Sequence, residues 1–199
     1  MSRFNCGCLV ALLVGGLSAA NLTPARGDTG QTNDSVRHGR LIQGDAVGVF
    51  YVTKVAGAED DGVQPGEDLC YRCRYGSCPM VMVFARRTGG RFTGLVKQID
   101  AAVSANQEFR LKGLVTLLGE SSSELKEAAI QVAEETAVTH VPVVIAKEFK
   151  TGPLNYKLPS DAAITVVVAK DSQVVSTHTF TVEEIDIAAV MNEVNQILN

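Results

Sequence analysis

The residues best suited to chemistry are gathered in one short stretch, Cys70-Tyr71-Arg72-Cys73-Arg74-Tyr75-Gly76-Ser77-Cys78-Pro79. Two cysteines separated by two residues serve as a redox pair, a small structural clip or half of a metal site. As a redox pair, Cys70 and Cys73 exchange disulfides. Arg72 and Arg74 then tune them, because nearby cations favour the thiolate and lower its pKa. Cys70 is the expected nucleophile, and Cys78 is a candidate resolving or shuttle thiol. As a clip, the bond is Cys70–Cys73 or one of the two other pairings that three thiols allow. Such closed loops contribute only about 2–2.6 kcal/mol by the chain-entropy estimate. A metal site needs a fourth ligand, and His38, His140 and His178 are the only histidines. A single C-x-x-C is a weak zinc signal. Covalent haem attachment wants a histidine where Arg74 stands. No metal and no cofactor is therefore expected.

Other polar residues read as structural. His38 falls in a polar tail and is expected in solvent. His140 opens a strand rather than acting as a base, and His178 alternates to face solvent or a threonine. The acidic run Glu59-Asp60-Asp61 reads as a solvated turn, because no calcium-loop spacing follows it. Tyr71 and Tyr75 are expected to pack over the cysteine loop. No Ser-His-Asp set or paired carboxylates emerge by spacing.

The stretch needs a fold to hold it. The chain has 199 residues, 46% hydrophobic and 20% charged, enough for one core plus a disposable segment. A formal net charge of −4 and the lack of any lysine–arginine block exclude nucleic acid as a partner. Residues 1–20 read as a secretory signal: Arg3, the apolar run Leu9 to Leu17, then Ser18-Ala19-Ala20. The run falls short of the roughly 20 residues that span a bilayer, so an uncleaved anchor is the lesser alternative and no other membrane contact is expected. Cleavage removes Cys6 and Cys8, leaving Cys70, Cys73 and Cys78 in an exported protein, periplasmic or extracellular, where disulfides persist. Residues 21–44 form a polar linker. The domain runs from 45 to 199, and its sequence specifies no oligomeric state.

Within it, Ala46–Thr53 reads as a strand and 58–66 as a loop. Met80–Ala85 is continuously apolar, as in a strand buried on both faces. Phe92, Leu95, Val96, Ile99 and Val103 keep helical spacing. Leu111–Leu118 is a strand. Ser121 and Glu124 form a capping box for a helix to about Ala137. Val141–Ala146 is a strand whose Pro142 suggests an edge. Ala163–Val168 and Val174–Phe180 form a hairpin, and Thr181 with Glu184 caps a last helix bearing Ile185, Ala188, Met191 and Val194. This alternation argues a three-layer α/β domain with a mixed sheet of about five or six strands and three main helices.

Order and residues together resemble the thioredoxin-like fold, in its redoxin and peroxiredoxin-like branch. Met80–Ala85 is similar to that family's first core strand, and the helix from Phe92 to the one that follows it. Ala133 through Pro142 to Val144 is similar to its next helix-to-strand passage. Tyr156 and the hairpin turn Lys170-Asp171-Ser172 resemble its tyrosine and closing hairpin. The resemblance implies a reactive cysteine just after the first core strand, where this chain has Arg86-Arg87-Thr88-Gly89-Gly90. It also implies a cis-proline before the hairpin, where this chain has Asp161-Ala162-Ala163. The family's usual site is thus not carried over. Six strand residues put the cysteine segment roughly 20 Å away, at the opposite end of the sheet. Two functions are expected of such a chain. One is thiol–disulfide exchange with a protein thiol or disulfide partner. The other is a non-catalytic binding or scaffold module with a structural disulfide.

Overall fold

In the computed structural model, which describes residues 40–199, one seven-stranded mixed sheet carries the chain. The stretch expected to be a signal, most of the expected linker, and Cys6, Cys8 and His38 lie outside the described residues. The strands are β1 (Val52–Ala56), β2 (Asp68–Leu69), β3 (Met80–Ala85), β4 (Lys112–Leu117), β5 (Val143–Ala146), β6 (Ile164–Lys170) and β7 (Gln173–Phe180). Their spatial order is β2-β1-β5-β4-β3-β6-β7. β3, β4 and β5 run parallel, and the remaining pairings are antiparallel. The helices are α1 (Tyr71–Tyr75), α2 (Arg91–Ala105), α3 (Ser122–Thr136) and α4 (Ile187–Leu198). This is the thioredoxin-like arrangement expected, with the short β2 taking the strand count to seven.

β3 is the axis of the core. All six of its residues are buried, as an apolar run without polar alternation requires of a strand covered on both faces. Val81, Val83 and Ala85 point to a core filled by α2, α3 and α4. Met80, Met82 and Phe84 point to a second core filled by Leu41, Val47, Phe50, Val63, Tyr71 and Tyr156. Three long helices therefore cover one face. The other is covered by irregular chain, α1 and a 3₁₀ turn at Leu154–Tyr156. Phe50, Phe84 and Tyr156 pack there in tilted and edge-on contacts, with ring centroids 5.0 to 5.6 Å apart. Leu41, assigned by sequence to the linker, is 4% exposed, and the Gly44 N–H donates to Val174 O. The packed chain thus starts earlier than residue 45.

Local signals explain most boundaries. Ser121 caps α3 and its hydroxyl accepts the Glu124 N–H, half of the expected capping box. Asp171 and Ser172 both take positive φ, the geometry that a two-residue hairpin turn demands.

Three expectations change. The first strand begins at Val52, not Ala46, and continues through Lys54 to Ala56. Pro142 marks no edge: β5 is central and starts one residue later, where the missing proline N–H costs no ladder bond, while Pro142 O accepts from Val115 N. Thr181 does receive the Glu184 N–H, but only a turn results. α4 begins at Ile187 behind the Asp186 cap, so Val190 and Val194 are buried and Ala188 is exposed.

Candidate functional site

The cysteine segment follows the edge strand β2 and leads into β3. Cys70 is the N-cap of α1, and its Sγ accepts the Cys73 N–H at 3.1 Å. The structure joins Cys70 to Cys73, with Cα atoms 5.2 Å apart. Three residues of separation on one helical turn bring the two side chains together, so the spacing itself permits the bond. Cys70 is 7% exposed, whereas Cys73 is exposed. Cys78 is a free thiol, 6% exposed, at the threshold of β3.

Side chains pin the helix on every side. The Arg72 guanidinium donates to Val47 O and Gly76 O, and Arg74 donates to Asp61 O at 2.7 Å. Both arginines, expected to tune the sulfurs, thus have their hydrogen bonds on carbonyl oxygens. The hydrogen bond that reaches a cysteine sulfur comes from the backbone of Cys73. The Tyr75 hydroxyl donates to Gly113 O on β4 at 2.9 Å.

The strongest anchor escaped the sequence reading. Lys54, 2% exposed, donates all three ammonium hydrogens: to Ala58 O, Asp61 Oδ1 and Val63 O. Asp61 Oδ1 also accepts the Val63 N–H, and Asp61 Oδ2 accepts the hydroxyl of Tyr71. A lysine ammonium thus organises the 58–63 loop and, through Asp61, holds α1. The acidic run is not one solvated turn, because only Glu59 and Asp60 are exposed. Burial, then the Asp61 carboxylate, pushes the Tyr71 phenol far above its ordinary range. Burial does the same to Tyr75. The signal for this hub was a lysine on the inward period of β1, in step with Val52.

Of the histidines, His140 stands at a strand approach, its backbone N–H bound to Asp100 Oδ1. His178 is only partly open to solvent, and its hydrogen-bonding partner is a carboxylate, not a threonine. Its Nε2 lies 2.8 Å from Glu193 on α4, because the helix packs back across β7. Among the described residues, no cluster of three or more His, Cys, Asp or Glu is arranged to hold a metal ion. No described helix is long and apolar enough to cross a membrane.

The cysteine helix leads into the start of β3, whereas Arg86 follows its other end. Tyr71 and Tyr75 pack on the face of Met80 and Phe84, opposite the face covered by α2. At the other end of β3, Arg86 donates to Lys150 O and Thr151 O, tying that corner to the chain after β5.

No family model matches the chain, and no curated protein does. Solved structures do. The chain is similar to a Chlorobium tepidum protein named as a thiol:disulfide interchange protein DsbE, at 12% identity and TM-score 0.55, over 80% of this chain and 99% of that one. A Bacteroides thetaiotaomicron protein named as a protein disulfide isomerase matches at 16% identity and TM-score 0.56, covering 79% and 91%. Mycobacterium tuberculosis AhpC matches at 10% identity and TM-score 0.57, covering 80% and 99%. Such likenesses establish the thioredoxin-like fold and leave the activity to the site.

Proposed function

We propose that this chain is an exported thiol–disulfide exchange protein that works on a protein partner through Cys70 and Cys73. The observation that carries the reading is the asymmetry of the pair: an exposed residue, Cys73, bonded to a buried Cys70 that accepts a backbone N–H. Export rests on the N-terminal sequence pattern and on the persistence of disulfides outside the cytosol.

The chemistry follows from that asymmetry. A partner thiolate attacks Cys73 Sγ, the S–S bond breaks, and its electron pair leaves on Cys70. The Cys73 N–H is already placed to stabilise that thiolate. A second partner thiolate then attacks the partner's own sulfur in the mixed disulfide and releases Cys73 as thiolate. The partner gains a disulfide, and two electrons and the protons that follow them end on the chain as a dithiol. Accessibility thus gives Cys73 the first contact, in place of the Cys70 expected from sequence. Cys78 is too buried to meet a partner first.

A second reading, a non-catalytic module with a structural clip, is favoured by the distance of the pair from the corner after β3. The reduction potential separates the two. A value between about −120 and −270 mV, with a mixed disulfide trapped on Cys73, supports exchange. A value below about −300 mV with no trapped intermediate supports the clip.

A further inference from the structure

A cleft of about 360 Å³ lies on the α3 side of the sheet, between β1, the end of β5 and the start of α3. Its floor is apolar, built from Val55, Ile145, Ala146 and Phe149. Its rim is polar, with Ser122, Lys126 and Lys147. No carboxylate lines it, although the whole chain carries a net charge of −4. The Lys54 ammonium is committed to Ala58, Asp61 and Val63, so the lysines that matter are the other two. Lys126 is in no ion pair among the described residues. Lys147 pairs with Asp68 at 2.6 Å, but both groups are well exposed, so the pair yields readily to a better-placed anion.

The location adds a second argument. The cleft opens beside the carboxyl end of β5 and the start of α3. Ser122 is the first residue of a helix of 15 residues, and the cap side chain of Ser121 meets the N–H of Glu124. The N–H groups of Ser122 and Ser123 have no intrahelical acceptor, and Ser122 lines the cleft. The volume suits a small organic ligand.

We infer that this cleft binds a small amphiphilic carboxylate, with its alkyl body on Val55, Ile145 and Phe149 and its carboxylate between Lys126, Lys147 and the head of α3. Neither Cys70 nor Cys73 lines the cleft.

The test is a titration of the ¹⁵N-labelled protein with octanoate, followed by amide chemical shifts. Saturable one-site shifts are expected at Thr53, Val55, Ser122, Lys126 and Ile145. Lys126→Glu should weaken binding about tenfold and Lys126→Met severalfold, both with spectra that otherwise match the wild type. Octanol, which keeps the tail and lacks the charge, should bind more weakly than octanoate. The inference is overturned if no saturable shift appears up to millimolar octanoate. It is equally overturned if the shifts cluster elsewhere, or if Lys126→Glu or octanol binds as tightly.

Discussion

Lys54 Nζ and Asp61 Oδ1 lie 2.7 Å apart, in a pair whose lysine is 2% exposed and whose aspartate also receives the hydroxyl of the helix residue Tyr71. A charge removed from water this fully is tolerable only because every donor is matched. The disulfide helix thus rests on an ion pair formed between a strand and the loop that follows it.

Lys54→Met should destabilise the fold by about 3–5 kcal/mol, because it leaves the Asp61 carboxylate without its cation in a half-enclosed site. Urea denaturation followed by circular dichroism measures it. A loss below about 1 kcal/mol would mean that water replaces the ammonium without difficulty.

Alkaline pH should weaken the fold. The phenols of Tyr71 and Tyr75 are raised above their ordinary value of 10.0, so the folded state keeps protons that the unfolded chain releases. Their contribution is fully present below the unfolded value and declines as pH rises beyond about 10. Stability measured from pH 8 to 11 should fall along this limb, and Tyr71→Phe should flatten part of it.

The two cysteines should differ in reactivity. After Cys70→Ser, the remaining exposed Cys73 should react readily with an aromatic disulfide reagent. After Cys73→Ser, the buried Cys70 should react at least about tenfold more slowly. Either variant should lose about 2 kcal/mol of stability, the chain-entropy contribution of so short a loop. Equal rates for the two variants would remove the asymmetry on which the exchange reading depends.

Gly57→Ala should cost roughly 1–3 kcal/mol in thermal or chemical denaturation. Gly57 has φ +72°, and a Cβ there would stand 2.3 Å from Val141 O, a backbone atom that cannot swing aside. This contact matters because it locks the end of β1 beside the start of β5.

The sheet was legible because its signals are local. The unbroken apolar run Met80–Ala85, the helical spacing from Phe92 to Val103 and the Asp171-Ser172 turn each specify their own element. The proximity of Cys70 and Cys73 was legible for the same reason. The Lys54 hub was not, because two of its three acceptors are backbone carbonyls of the 58–63 loop, which no side-chain pattern marks. Lysine reads as the end of a buried strand until the fold supplies acceptors for it. The start of α4 was missed because Thr181 and Asp186 are both competent caps, and packing of Val190 and Val194 chose the second.

The irregular layer over Phe84 and Tyr156 has a consequence for where the autonomous folding unit begins. A polypeptide trimmed to start at Val52 would keep every strand and helix of the sheet yet lose Leu41, Val47 and Phe50 from beneath them. Met80, Met82 and Phe84 would then keep only Val63, Tyr71 and Tyr156 of that cover, and newly exposed apolar area of this kind drives self-association. Protease sites in the stretch from Leu41 to Tyr51 are therefore weak points of the entire molecule, although no strand or long helix passes through it.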